Sequence, residues 1–270
     1  MLSVASVSSA GGAANYFAKD DYHVGDGPAE LSEWGGKGAE VLGLSGPVSK
    51  EDFEKVLDGK LPDGTVVNGH EKWQSGTDLT FSMPKSASLL AQLGGDQRIL
   101  AAQHDAVKAT MAYLEKRFAE TRDYSRNSKG EPVITGKLVY ALFQHDTSRK
   151  LDPQNHTHAV IAALTQTKDG KWQALHNVEI WKNNSVLGSI YNAALRTGLE
   201  KLGYQTELTG KHGQFEIKGV SREVIEAFSQ RRLDILATAE KLGRSARDTE
   251  FLRGVTRNTR DPKLNPDDKQ

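Results

Sequence analysis

The sequence predicts an α+β fold with a mainly antiparallel central sheet flanked by helices. Three pairs of strand-like segments are each joined by a turn or a short polar loop, at residues 146–155, 168–171 and 210–213. Consecutive strands joined in this way usually pair antiparallel. Long segments with apolar residues at helical spacing lie between these pairs, and this mixture is typical of the α+β class.

The N-terminal part is predicted to combine short elements with loops. Ser3–Val7 alternates small and apolar side chains, as in a short strand. Ser49 is a favourable helix N-cap followed by acidic residues, and Gly59 ends that helix. The glycine-rich segments 24–37 and 61–76 are predicted loops.

A strand with one polar face is predicted at residues 77–82. The polar face carries Asp78, Thr80 and Ser82, and the apolar face carries Leu79 and Phe81. Pro84 ends the strand, and Ser86 is expected to cap a short helix after it. Asp96 is expected to cap a longer helix, from about residue 97 to residue 121, which has the clearest helical periodicity in the chain.

The second half of the chain alternates predicted hairpins and helices. A turn at 128–132 is expected to separate two short strands, and residues 204–217 have the pattern of another hairpin. A single long helix is predicted over 178–202. Ser221 is expected to cap a last helix that runs to about residue 242.

Three histidines lie where two predicted strands meet. His156 and His158 are one residue apart, so on a strand they point to the same side, about 7 Å apart at the backbone, and they can converge on one metal ion. His145 ends the preceding apolar run, 138–145, and antiparallel pairing would place it opposite the other two. The pattern predicts a three-histidine metal site; the alternative is three unrelated imidazoles, at least one hydrogen-bonded in a core.

Such a site has a defined chemistry. A metal ion held by three neutral imidazoles keeps open positions and can act as a Lewis acid on a phosphodiester oxygen, and imidazole ligands alone favour zinc or copper over magnesium. The nucleophile could be water or a tyrosine, whose phenolate is a good leaving group and makes the linkage reversible. Asp78 could orient a metal-bound imidazole or accept the tyrosine proton, or it could be a solvated or capping carboxylate.

Composition limits the protein class. The chain has no cysteine, which excludes disulfides and thiolate metal sites. No signal peptide or membrane-spanning window is found, so a cytoplasmic location without membrane insertion is expected. Basic and acidic residues balance at 35 each, so a nucleic-acid partner would require a local basic face.

Several short sequence blocks occur in a fixed order. They are Asn15-Tyr16 with Tyr22, the glycine-containing segment 36–44, the segment 78–86, the segment 143–149 and His156-Thr157-His158. Together these blocks resemble the MobF family of conjugative relaxases, and the similarity extends from residue 1 to about residue 260. The resemblance implies an HUH relaxase fold and an enzyme that nicks one plasmid strand at the origin of transfer. Such an enzyme remains attached to the 5′ phosphate through tyrosine and later rejoins the strand.

The resemblance also implies roles for individual residues. Tyr16 matches the nicking nucleophile, Tyr22 the tyrosine expected to serve later strand transfer, and Asp78 the supporting acid. The implied metal ligands are His145, His156 and His158. The expected metal is magnesium or manganese, with zinc possible. The implied partners are single-stranded DNA of the plasmid origin of transfer, relaxosome accessory proteins and a coupling protein, in a bacterial cell.

The chain departs from the family pattern in places. Relatives often carry tyrosine pairs, whereas Phe17 and His23 stand beside the two tyrosines here, so only two hydroxyls are available. The residue between His156 and His158 is Thr157 instead of a large apolar residue, although close relatives share this feature. Family members usually continue into a helicase. We therefore expect residues 1–243 to form the relaxase domain and residues 244–270 to be a basic, flexible tail that leads to further domains.

DNA contacts are expected from two groups of residues. Basic residues beside the proposed metal site are Lys85, Arg149 and Lys150. The helix that starts near residue 178 carries Lys182, Asn184, Asn192 and Arg196. In relatives this helix contributes sequence readout, and the alternative is a solvated helix face.

Other functions share parts of this pattern. A rolling-circle replication initiator or an HUH transposase would use the same metal and tyrosine chemistry. A three-histidine zinc hydrolase would use water and leave Tyr16 without a role. A DNA-binding module without catalysis would tolerate the loss of all three histidines.

Overall fold

The computed structural model describes residues 1–17, 32–67, 74–125, 127–148 and 152–230, with four isolated positions between 233 and 241 and only the backbone of Tyr16. The strands are β1 (Leu2–Val7), β2 (Ser32–Gly35), β3 (Gly76–Ser82), β4 (Glu120–Asp123), β5 (Glu131–Ile134), β6 (Leu138–Thr147), β7 (Pro153–Gln166), β8 (Trp172–Ala174), β9 (Thr206–Leu208) and β10 (Phe215–Ile217). The helices are α1 (Ala10–Phe17), α2 (Lys37–Val41), α3 (Lys50–Leu57), α4 (Lys85–Gln92), α5 (Arg98–Phe118), α6 (Val178–Lys182), α7 (Asn184–Lys201) and α8 (Arg222–Ala227).

A six-stranded sheet organises the described part of the chain. Its order is β1-β3-β7-β6-β2, with β8 paired to β7, and every neighbouring pair is antiparallel. Two smaller antiparallel hairpins, β4–β5 and β9–β10, lie outside it. The predicted α+β class with an antiparallel central sheet is confirmed. None of the described helices is long and apolar enough to span a lipid bilayer.

Both faces of the sheet are covered, because side chains alternate along each strand. Leu79 and Phe81 belong to a core with apolar residues of α4, α5 and α7. Phe143 and Val160 belong to a second core, with α1, α2 and α3. The predicted polar face of β3, which carries Asp78, lies on the side of the second core.

Several element boundaries differ from the sequence-based expectations. Residues 32–35, expected in a loop, form β2, because they pair with β6 and bury Trp34 against Phe53 at a ring-centroid distance of 6.2 Å. The expected helix over 178–202 is divided into α6 and α7 at Asn183. The expected helix from Ser221 to about residue 242 is interrupted after Ala227, and the positions described beyond the break, from Gln230 to Lys241, are helical again.

Three helix ends also lie at other residues than the sequence predicts. Pro84, not Ser86, is the N-cap of α4, and Ser86 lies in the first turn, where its backbone N–H donates to Glu216. Gln97 is the N-cap of α5, and Asp96 instead accepts from the Arg98 backbone one step outside the helix. The same helix ends at Phe118, since residues 120–123 are taken up by β4. The predicted cap at Ser49 is confirmed by its hydrogen bond from Asp52 N.

Candidate metal centre

The β6–β7 hairpin brings three histidines together. His145 pairs directly with His156 across the hairpin, and His158 follows on the same face of β7. Their ring centroids are 5.1 to 5.2 Å apart. One ring nitrogen from each histidine can be chosen so that all three lie within 4.8 Å of one another. The convergence predicted from strand alternation is therefore observed.

Asp78 orients His158 from the neighbouring strand β3. Its two carboxylate oxygens lie 2.9 and 3.0 Å from His158 Nδ1. The Thr80 hydroxyl lies 3.3 Å from the same nitrogen and donates to Asp78 over 3.4 Å. An imidazole that donates through Nδ1 keeps the lone pair of Nε2 for a metal ion. Thr80 was placed on this polar face from the sequence but was not assigned a role there.

His156 is oriented by the backbone instead. Its Nδ1 donates to the carbonyl oxygen of Gln154 at 2.8 Å, which also leaves Nε2 available. Burial, and to a smaller extent the neighbouring His158, lower the pKa of His156 to about 4. His156 is therefore neutral at physiological pH, as a metal ligand must be. Three imidazoles, two of them held by a hydrogen bond at Nδ1, fit a divalent metal ion.

The end of α1 covers this cluster. The ring of Phe17, the last residue of α1, lies 4.9 Å from the His158 ring and 5.5 Å from the Phe143 ring, measured between centroids. Tyr16 precedes Phe17 in the same helix, so its backbone lies beside the cluster. The side chain of Tyr16 and the whole of Tyr22 lie outside the described residues. No local pattern indicated the role of Phe17, because its contacts come from the tertiary fold.

The basic residues expected near the site have different surroundings. The Lys85 ammonium donates to the carbonyl oxygen of Pro153 at 2.8 Å, and its burial lowers the pKa of this lysine. Lys85 therefore holds the start of β7. Arg149 and Lys150 lie outside the described residues. Lys182 is exposed and forms an ion pair with Glu179.

Only some of the residues expected to read DNA are exposed to solvent. Asn184 is exposed at the start of α7, but Asn192 is buried, with 3% of its surface accessible, and its amide donates to the carbonyl oxygen of His212 at 2.9 Å. Arg196 Nε donates to Glu200 and Thr206, each at 2.8 Å. The expectation that Asn192 projects from an exposed face is corrected, because the β9–β10 turn covers it.

We expect Asn192→Ala to destabilise the fold rather than to change base preference. The change removes the donor to His212, a residue with a positive φ of 57°, and should lower the free energy of unfolding by about 1–3 kcal/mol. Urea unfolding measures the stability, and titration of oligonucleotides with single base changes measures the preference. Asn184→Ala is the exposed control, with unchanged stability. Selective loss of discrimination at one nucleotide, without loss of stability, would contradict this interpretation of Asn192.

Comparison with known proteins identifies the family. The sequence profile of the TrwC relaxase matches residues 10–270. The chain belongs to the TrwC relaxase family. It is 43% identical over 267 residues to the multifunctional conjugation protein TraI of Escherichia coli, and 42% identical to TraI of strain K12. Each match covers 93% of this chain but only 15% of TraI, so the chain spans a small part of the length of these relatives.

Solved TrwC relaxase structures are similar over almost the whole chain. A complex of TrwC with a 27-mer DNA that contains the recognition hairpin and the cleavage site is 38% identical, with a TM-score of 0.87. The match covers 98% of this chain and 92% of the TrwC chain. A copper-bound TrwC complex with oriT DNA is 37% identical, with a TM-score of 0.90, and the match covers 99% of this chain and 94% of the TrwC chain.

These matches confirm the sequence-based assignment to the conjugative relaxase family and the relaxase fold. TrwC structures with bound metal, including the copper complex, agree with the fit of the three histidines to a divalent ion. The relaxase family thus accounts for the central features of the site.

Proposed function

We propose that this chain nicks one strand of a plasmid at its origin of transfer and later rejoins it during conjugation. The observation that carries this proposal is the three-histidine cluster supported by Asp78 and covered by the end of α1, in a chain of the TrwC relaxase family. We assign residues 1–243 to the relaxase domain and residues 244–270 to a basic tail toward further domains such as a helicase. The much greater length of TraI supports the proposal of further domains.

In the proposed reaction, Tyr16 Oη attacks the scissile phosphorus. The Oη–P bond forms, the bond from phosphorus to the 3′ oxygen breaks, and the 3′ hydroxyl leaves with a proton. The phenol proton passes to a base, because a free tyrosine, with a pKa near 10, is mostly protonated at neutral pH. The resulting 5′-phosphotyrosine preserves the energy of the phosphodiester, so the 3′ hydroxyl can reverse the reaction. Tyr22 is proposed to serve a second strand transfer.

The histidines are proposed to act as ligands, and Asp78 as the residue that orients one of them. A divalent ion bound there would polarise a non-bridging oxygen of the scissile phosphate. Both carboxylate oxygens of Asp78 lie within 3.0 Å of His158 Nδ1, which favours orientation of the imidazole over acceptance of the tyrosine proton. We propose magnesium or manganese as the ion in cells, with zinc possible.

The proposed partners follow from the family. Single-stranded DNA of the origin of transfer is the proposed substrate, and the solved complexes of the related TrwC relaxase with oriT DNA support this choice. Relaxosome accessory proteins and a coupling protein are proposed to act with it in the bacterial cytoplasm. Among residues assigned to DNA binding, the exposed Asn184 and Lys182 are the best candidates on α6 and α7.

The test is covalent capture of DNA. We expect protein incubated with a single-stranded oligonucleotide containing the cognate nic site, and with magnesium or manganese, to give a slow-migrating adduct on a denaturing gel. An oligonucleotide of the same composition with a scrambled nic site is the control. Cleavage without an adduct would indicate a water nucleophile and refute the proposal. Adducts only with a replication origin, not a transfer origin, would indicate an initiator.

A further inference from the structure

Helix α4 presents a polar face to the end of the β6–β7 hairpin that carries the histidines. Lys85, Ser88 and Gln92 are three and four residues apart, so they lie on one side of the helix. All three side chains bond the hairpin on the sheet face opposite the histidines. These contacts are distinct from the support that Asp78 and Gln154 give to the imidazoles themselves.

The contacts concentrate on residues adjacent to two of the ligands. Ser88 Oγ accepts from the backbone N–H of Asn155 at 3.0 Å. Gln92 Nε2 donates to Asn155 Oδ1 at 2.9 Å and to the backbone carbonyl oxygen of Asp146. Asn155 precedes His156, and Asp146 follows His145. The single amide of Gln92 therefore links the two strands immediately beside the ligand pair.

The strand ladder alone is irregular at this point. The register of β6 against β7 shifts by one residue between His145 and Thr147, so the regular backbone pairing is interrupted next to the ligand pair before Thr147 pairs with Pro153. Asn155 and Ser88 are buried, which removes water as a competing partner. Metal–nitrogen bonds of about 2 Å tolerate little change in the distance between the strands.

We propose that Gln92 is a positioning residue for the metal site, which fixes the spacing of His145 and His156 through the strands that carry them. Ser88 acts with it by holding Asn155. This inference rests on the proposed metal-binding function of the three histidines. It gives α4 a role in the active site through its bonds to the strands that carry the ligands.

The matched comparison is Gln92→Met against Gln166→Met. Both remove an amide that donates to a backbone carbonyl, but Gln166 lies at the far end of β7, bonded to Gly170 and Lys137. Calorimetry with Mn²⁺ measures affinity, the visible spectrum of the Co²⁺ form reports ligand geometry, and thermal unfolding in chelator measures metal-free stability. We expect Gln92→Met to bind Mn²⁺ about tenfold more weakly, with a changed Co²⁺ spectrum. Gln166→Met should lower the metal-free stability and leave the Mn²⁺ affinity and the Co²⁺ spectrum unchanged.

The outcomes separate the two proposals. If the wild-type protein binds no metal, the three-histidine site itself is refuted. If the wild type binds and Gln92→Met matches Gln166→Met in affinity and spectrum, only the role of Gln92 is refuted. If Gln92→Met does not fold, Ser88→Ala is measured instead. Weaker Mn²⁺ binding by Ser88→Ala than by Gln166→Met would support the proposal that α4 positions the ligands, and equal binding would overturn it.

Discussion

Tyr16→Phe is expected to abolish the covalent DNA adduct while DNA binding is retained. The change keeps the ring and removes the attacking oxygen, so the rate of adduct formation should fall on the order of a thousandfold or more. Tyr16 lies in α1, a short distance after β1, and the next residue, Phe17, packs on His158. A nucleophile whose backbone is held beside the reacting groups gains effective concentration over one free in solution. Denaturing electrophoresis after incubation with the nic oligonucleotide measures the yield.

Tyr22→Phe is the matched control. It should leave the first nick unchanged and impair only a second transesterification, measured by transfer of the bound strand to a new 3′ end. Peptide mapping of the wild-type adduct should find the nucleotide on Tyr16. Its recovery on Tyr22, or a full adduct yield from Tyr16→Phe, would overturn the assignment.

His156→Ala should produce the second large effect, a loss of metal affinity greater than about 100-fold together with loss of cleavage. It removes one of the three ligands, and its effect should exceed the 10- to 100-fold range typical of residues that only support a ligand. The fold should survive, because the His156 side chain is held by one hydrogen bond to the Gln154 carbonyl. Calorimetry with Mn²⁺ and a cleavage assay measure the two losses.

Asp78→Asn provides the graded comparison. It retains the shape of the side chain but removes the charge that faces His158 Nδ1, so affinity should fall by about 10- to 100-fold, less than in His156→Ala. Wild-type cleavage that persists in chelator, or undiminished cleavage by His156→Ala, would refute a role for the metal in the reaction.

The metal cluster was predictable because its geometry is local. Strand alternation places His156 and His158 on one side, and a short connection between neighbouring strands places His145 opposite them. Asp78 was a candidate from its polar strand face alone. Its pairing with His158 depends on β3 lying beside β7, which no local pattern specifies.

The predictions that failed concern features that depend on distant parts of the chain. Residues 32–35 lack a strong strand pattern and form β2 only because β6 offers an edge to pair with. Asn192 lies on a helix, as expected, but the β9–β10 turn that covers it comes 20 residues later in the chain. Sequence periodicity assigns a side chain to a face of its element, whereas its exposure depends on what packs there afterwards.

The separation in sequence between the ligands and their supporting acid has a consequence for folding. The three ligands lie between residues 145 and 158, so closing their hairpin costs little chain entropy, whereas Asp78 is 80 residues away from His158. Contacts of low sequence separation generally form early, so we expect a metal-competent hairpin to exist before β3 docks. Metal ions should then also bind partly folded chains. The native-state affinity would therefore overstate the stability that the ion adds, since ligands that bind both states stabilise the fold less.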